Sequence, residues 1–523
     1  MKRRSCLKTG TVAAMAILAK RRALAARAKK PNLLFIMTDQ QRWDAMSCAG
    51  NKVLETPNLD RLAREGVKFS SAYSAQPICV PARAVLLTGL SAVNVKVETN
   101  RDYTREDIPD VPTFDSVLKD HGYAAEYYGK WHTPRKFTAC YDNDVRVVGN
   151  VPGATSELKA YQAYLVDKGV TRKEAGEGEL FSGRHQRPYR PIELDENYDK
   201  QKLDPAKKQK LKTKQSGQYG CVDLPPNVSF TAFPAEETLN ALERVKDRAF
   251  TLTCSFDPPH PPMMVQEPYY SMYPPETIET PLSIDDSMEG SPYAERAAED
   301  RQSRYRDAEQ IQKMRSIYYG MVREVDDWVG RILNKLDELG LAENTLVVFT
   351  SDHGEMLGDH GMHSKMIFYE GSVHVPFLMR FPGRIKAGTV VEQPISSMDI
   401  CPTILDYLSM PPIKKSDGIS LRKMVEGKKV DHVAVSYTPG TRTPNYMIRS
   451  GDLKLMMAQK AGNKSVDALY DLGADPLETR NLIVSPKTPE KNREQARMMK
   501  KRLVKWMESH EPPKAFDLEK REI

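Results

Sequence analysis

No stretch of this chain joins a basic helix to interleaved aromatic residues, so the footprint of a nucleic-acid binder is missing, even though lysine and arginine outnumber aspartate and glutamate by 77 to 70. The formal charge of +7 is mild for 523 residues. A stable membrane span is missing too, because the apolar segment Thr9 to Ala19 is shorter than the roughly 20 residues a spanning helix needs. Cysteine is sparse, with seven in all. With Cys6 in the N-terminal leader and Cys79 set apart by its surroundings, Cys48, Cys140, Cys221, Cys254 and Cys401 remain, an odd number that cannot all pair within one chain.

What is present is ordinary for a soluble globular protein, 40% hydrophobic and 28% charged, and long enough for one large domain and a smaller one. At the N-terminus, Lys2-Arg3-Arg4-Ser5-Cys6-Leu7-Lys8 precedes the apolar segment, and Ala23, Ala25 and Ala26 offer cleavage sites. Residues 1–26 therefore read as a twin-arginine export signal, which implies the twin-arginine machinery as a partner and a periplasmic or extracellular destination.

Ionisable residues recur where apolar runs end. Asn32 to Met37 closes on Thr38-Asp39-Gln40, and Thr345 to Thr350 closes on Ser351-Asp352-His353. Both read as strands buried on two faces. Ligands bind at the carboxyl edge of such sheets, and two carboxylates meeting there call for a cation. The strand Tyr123 to Tyr128 leads into Gly129-Lys130-Trp131-His132, and Ala249 to Phe256 leads into Asp257-Pro258-Pro259-His260. Lys130 and His132, two apart, would face one way on an extended segment. A further strand is expected at Val67 to Tyr73, and helices at 57–66, 114–120 and 235–247. One long helix is expected over 301–339, on which Asp326 and Asp327 read as solvated or capping charges. From Cys140 to Val228 periodicity fades, and Lys207, Lys208, Lys210, Lys212 and Lys214 suit a solvated insertion or a rim that attracts a polyanion. Past a linker at 411–418, short strands and a final helix near 490–508 predict a small antiparallel sheet.

The stretch Cys79-Val80-Pro81-Ala82-Arg83-Ala84-Val85-Leu86-Leu87-Thr88-Gly89 stands apart. Pro81 suits the first turn of a helix, which puts Cys79 at its mouth. There the free N–H groups and Arg83 favour negative charge, and the cysteine reads as a thiolate, as part of an anion pocket, or as a small buried apolar residue.

This stretch resembles the signature of the formylglycine-dependent sulfatases, Cys-x-Pro-x-Arg with a Leu-Thr-Gly tail, with Ala82 where serine is usual. Gly129-Lys130-Trp131-His132, Pro259-His260-Pro261-Pro262, Ser351-Asp352-His353-Gly354 and Lys365 are similar to further motifs of that family, in its order. Leu469-Tyr470-Asp471-Leu472 is similar to its C-terminal region. One departure is Gln40, where the family often has a second aspartate. The resemblance implies an alkaline-phosphatase-like α/β fold, a large mixed, mostly parallel sheet flanked by helices with a small C-terminal α+β subdomain. The catalytic domain would cover 31–410, with variable substrate-facing insertions in 140–300, and the subdomain 419–523.

For chemistry, the resemblance implies a sulfatase in which a formylglycine-generating enzyme oxidises Cys79 to formylglycine, whose hydrated aldehyde attacks sulfur. Calcium, or magnesium, would be held by Asp39, Gln40, Cys79, Asp352 and His353. Arg83, Lys130 and Lys365 would share the sulfate charge, His260 or Lys365 would protonate the leaving alcohol, and His132 would assist release of sulfate. The expected substrate is a sulfated carbohydrate or polysaccharide fragment. The alternatives are a phosphodiesterase or phosphonate monoester hydrolase of the same fold, and a non-catalytic glycan-binding protein. His360 and His363 carry no assigned role.

Overall fold

The structure is a computed structural model that describes residues 30–143, 146–147, 161, 164–169, 219–222, 225–302, 308–440, 443–459, 466–484 and 488–521. The export signal expected at 1–26 and the lysine run at 207–214 lie outside the described residues. Among the described residues no helix is long and apolar enough to cross a membrane.

The main sheet has eight strands in the order β11 (Thr389–Val391), β2 (Val67–Phe69), β10 (Phe377–Arg380), β9 (Thr345–Ser351), β1 (Asn32–Thr38), β7 (Phe250–Ser255), β4 (Ala124–Gly129) and β5 (Arg146–Val147). Only β10 runs against its neighbours. Along β1 the side chains alternate between two cores. Leu33, Phe35 and Met37 meet α2 (Cys79–Thr88), α3 (Phe114–Asp120) and α7 (Ile400–Tyr407) through Val80, Phe114 and Ile404. Leu34 and Ile36 meet α1 (Pro57–Glu65), α4 (Ala232–Val245) and α6 (Ala308–Glu338) through Leu59, Leu242 and Val329. Each fully buried aliphatic side chain contributes about 1.5–3 kcal/mol relative to exposure, which is why runs with no polar alternation become central strands.

A second sheet of four antiparallel strands, β13 (Ala434–Tyr437), β14 (Tyr446–Ser450), β15 (Leu453–Met457) and β16 (Ala468–Asp471), lies beside it with α8 (Glu490–His510) and α9 (Pro512–Glu519). One face shares a core with Val85 of α2 and Ala75; the other packs on Met356, Met362 and Phe368. The small sheet thus supports the loops around Cys79 and Lys365. Two parallel pairs, β3 (Ala72–Tyr73) with β12 (Ile395–Ser396) and β6 (Tyr219–Val222) with β8 (Met263–Gln266), complete the strands.

Two sequence expectations are corrected. The strand expected over Val67 to Tyr73 breaks after Phe69: Ser70 N–H makes the last ladder bond, to Val391 O at 2.9 Å, its partner strand β11 ends there, and the chain resumes as β3 beside β12. The single helix expected over 301–339 is α5 (Ala294–Arg301) and then α6, with Arg301 bonding back to the carbonyls of Ile284, Asp286 and His360. On α6, Asp326 is buried and caps a different helix. Its carboxylate accepts from Asn58 N at 3.1 Å and Leu59 N at 2.7 Å in the first turn of α1, which has no side-chain cap of its own.

Candidate active site

Register sets the centre of the site. Thr38 pairs with Ser351 across β1 and β9, so the next residues, Asp39 and Asp352, leave the sheet side by side. Both are fully buried. Between them lies Arg83, also without exposure: Nε meets Asp352 Oδ2 at 2.8 Å and Nη2 meets Asp39 Oδ2 at 3.2 Å. Its Nη1 donates to Lys130 O at 2.8 Å and Ser255 Oγ at 3.0 Å. Every guanidinium nitrogen is committed, so Arg83 braces the two carboxylates and the Lys130 backbone.

Cys79 opens α2 as expected. Its Sγ lies 3.2 Å from His353 Nε2, 3.8 Å from Asp39 Oδ1 and 3.4 Å from Lys365 Nζ. Burial and the Asp39 charge push the thiol up, but Lys365, His353 and Lys130 outweigh them and hold it well below the ordinary thiol range. Asn100, which sequence reasoning missed, fixes the helix mouth: its Oδ1 accepts from Val80 N at 3.0 Å. No local sequence signal marks it.

Lys130 Nζ sits 2.7 Å from Asp39 Oδ2 and 2.8 Å from Asp257 Oδ1 and is fully buried. Asp257 is another residue the sequence reading left without a role. Its place just past β7, on the same carboxyl edge, was the available signal. Gly129 makes the turn before Lys130: with φ of 95°, a Cβ there would stand 1.9 Å from Ser255 O. His132 follows with a φ of 41° and faces Cys79; burial lowers its pKa, helped by Lys130 and Arg83. His260 also reaches Cys79 and is pushed down to about 4 by burial and by Lys130 and Lys365.

Oxygen, nitrogen and sulfur atoms of Asp39, Cys79, Asp352 and His353 all lie within 4.8 Å of one another, a group able to hold a metal ion. Burial and the neighbouring Asp39 charge push the Asp352 carboxyl up, while Lys130, with His260, Lys365 and Arg83, holds Asp39 well below the usual carboxylate range despite its burial; a cation between two such adjoining carboxylates offsets their repulsion. Gln40 stands at the edge of this set. Its Oε1 is engaged by Lys365 Nζ and its amide nitrogen by Glu355, while its N–H donates to Asp352 Oδ1 at 3.1 Å. His360 does not join the centre; its Nδ1 bonds Asp286 Oδ2 at 2.7 Å and the ring stacks on Tyr369.

Residues 31–410 match the sulfatase family, and residues 358–509 match the family described as N-sulphoglucosamine sulphohydrolase, C-terminal. The chain is 29% identical to an arylsulfatase of Clostridium perfringens over 92% of its own length and 95% of that protein. It is 27% identical to an N-acetylglucosamine-6-O-sulfatase of Bacteroides thetaiotaomicron, over 89% and 85%. In fold it is similar to the phosphonate monoester hydrolase of Agrobacterium radiobacter, with a TM-score of 0.71 at 24% identity over 92% of this chain and 96% of that one. The family match over 31–410 spans the strand ends that carry Asp39, Lys130, His260 and Asp352 and the helix that Cys79 opens, and on that ground the chain belongs to the sulfatase family, whose members are sulfuric ester hydrolases.

Proposed function

We propose that this sulfatase removes sulfate esters from saccharides with Cys79 converted to formylglycine and calcium held by Asp39, Asp352, His353 and the oxidised side chain at 79. The observation that carries the reading is the surroundings of Cys79: a fully enclosed thiol at a helix mouth, with His353, Lys365 and the Asp39 carboxylate around it. That arrangement suits an oxygen nucleophile formed at position 79 and an anionic group presented to it. The saccharide class rests on the relative that acts on N-acetylglucosamine 6-O-sulfate.

The aldehyde would supply an oxygen nucleophile that a thiol lacks, and calcium would supply positive charge beside it; magnesium is the other hard cation a carboxylate-rich set suits. The remaining work falls to side chains in place. Lys365 and Lys130 neutralise the sulfate. Arg83 acts through the carboxylates it braces. His132, with its pKa lowered, is neutral at pH 7 and can accept a proton at position 79. Lys365 or His260 delivers a proton to the departing alcohol. We further propose that 31–410 forms the catalytic domain and 419–523 its support, and that an export signal precedes them.

The test is a peptide mass across Cys79 in protein matured by its own host, together with turnover of glucosamine 6-sulfate and of a phenylphosphonate ester. The expected result is a loss of about 18 Da, as CH₂SH becomes CHO, sulfate release exceeding phosphonate cleavage, and a rise in unfolding temperature with calcium that Asp352→Asn abolishes. An intact thiol in active protein would overturn the formylglycine step. Faster phosphonate cleavage would transfer the chain to its structural neighbour's reaction.

A further inference from the structure

The loops that build the catalytic centre also build a second cavity. After β1 the chain places Asp39 in the centre and then Arg42, Trp43 and Asp44 in the wall of a cavity of about 430 Å³; after β9 it places Asp352 and His353 in the centre and then Met356, Asp359 and His360 in that wall. Glu355 joins the two, its carboxylate on Gln40 and its carbonyl accepting from Arg42 Nη1 at 3.2 Å. The volume suits a small ligand. None of Cys79, Lys130, His132, His260 or Lys365 lines it.

Most charges in the wall are spent. Arg42 is paired with Asp44 and Asp359, and Glu370 and Glu478 are paired with Lys454. Among the described residues the exposed Glu279 carboxylate of this wall makes no ion pair, and neither does one buried group, Arg315. It is 9% exposed, its Nε has no hydrogen-bond partner among the described residues, and its one recorded bond is from Nη1 to Glu279 O at 3.4 Å. Its charge acts on Asp44 across the same wall, but no carboxylate bonds it, which leaves a buried guanidinium with donors to spare for an anion. Lys52 adds an exposed positive charge to the same wall. Beside them Trp43, half-buried, is held flat by stacking on His374 at 4.6 Å between centroids, and the Tyr319 hydroxyl, which accepts from Asn51 Nδ2 at 3.2 Å, keeps its own proton to donate. A fixed aromatic plate, a hydroxyl donor and an unsatisfied guanidinium are the elements that grip a sugar ring bearing an anion.

We propose that this cavity is a second saccharide site, taking a hexose that carries a sulfate or carboxylate, by stacking on Trp43 and pairing with Arg315. The site rests on the saccharide reading of the substrate. Its wall and the catalytic centre are consecutive parts of the same two loops, and Glu355, which touches both, links the occupancy of one to the geometry of the other.

The test is tryptophan fluorescence on the full chain carrying Cys79→Ala, so that nothing turns over, titrated with glucose 6-sulfate, glucuronate and glucose. Quenching is expected with one or both anions and not with glucose, and the anion that acts identifies the group Arg315 reads. Adding Trp43→Phe should remove the signal, which separates it from Trp131 beside His132. Arg315→Met should weaken binding about tenfold or more, with an unchanged melting temperature showing that the chain is folded. In the parent with Cys79 intact, Trp43→Phe should leave hydrolysis of 4-nitrophenyl sulfate unaltered while raising KM for a sulfated oligosaccharide. Quenching that survives Trp43→Phe, or anion binding within twofold of the parent in Arg315→Met, overturns the site. If the Trp43 signal is present but no chain turns over any sulfate ester, the site stands and the proposed chemistry at Cys79 fails.

Discussion

At the scale of single residues, Arg83 decides whether the centre holds. It satisfies Asp39, Asp352, the Lys130 carbonyl and Ser255 at once, with no exposure. Lysine keeps the charge but not the planar fork. Lys130 still pairs with Asp39 in Arg83→Lys, but a single ammonium cannot replace the fork's bonds to Asp352, the Lys130 carbonyl and Ser255 together, and a loss of about 1.5–3 kcal/mol in folding stability is expected. It should appear in urea titration as a lower midpoint with an unchanged slope; a midpoint equal to the parent's would refute the bracing role. This residue was legible in the sequence only as part of a motif, as a group facing sulfate. Its partners in the fold come from four strand ends, those of β1, β4, β7 and β9, and no spacing rule encodes them. Asp39, Lys130 and Asp352 were legible because apolar runs end on them. Asn100 and Glu355 were not, because one opens a short 3-10 turn and the other lies in a loop, and the placement of both depends on tertiary packing.

At the scale of elements, sequence periodicity found the helices and central strands and missed their ends. The break after Phe69 falls where β11 ends, and α5 ends at Arg301, which bonds to the carbonyls of Ile284, Asp286 and His360. A buried acid illustrates the same tertiary control. Glu324 on α6 accepts from Ser229 and Thr231 before α4 and from Gln266 at the end of β8. Burial pushes it up to about 7 from 4.5. The folded state therefore binds this proton more tightly than the unfolded state. The stabilisation is complete below about pH 4.5 and is lost as pH rises through about 7, an effect on the order of 3 kcal/mol. Glu324→Gln has no proton to lose, and the hydroxyls of Ser229 and Thr231 can turn to accept from its amide. Stability measured by denaturant from pH 5 to 8 should fall less steeply in Glu324→Gln than in the parent; parallel profiles would exclude Glu324 as the source.

At the scale of the whole molecule, the small sheet is bound to the catalytic loops by charge as well as by packing. Lys454 on β15 is fully buried, 2.7 Å from Glu370 Oε1 and 2.8 Å from Glu478 Oε1. Glu370 also accepts from His374 Nδ1 at 2.8 Å and from Tyr73 OH at 3.2 Å. Despite burial, Lys454 and His374 hold the Glu370 carboxyl well below the usual carboxylate range, while burial raises Glu478. The loop from Gly354 to Tyr369, which carries Lys365, ends at this cluster and rests on Met447 and Met456 of the sheet. Lys454→Met fills similar volume but strands the buried Glu478 and leaves Glu370 with only His374 and Tyr73, and a loss of about 3–5 kcal/mol is expected. Because the same loop positions Lys365 against Cys79, turnover should fall in the fraction that remains folded. Adding Glu478→Gln removes the stranded charge and should restore part of the stability, a coupling read from the double-mutant cycle. If Lys454→Met costs under about 1 kcal/mol, the ion cluster is no more than a surface-grade pairing. Packing alone would then hold the sheet against the site.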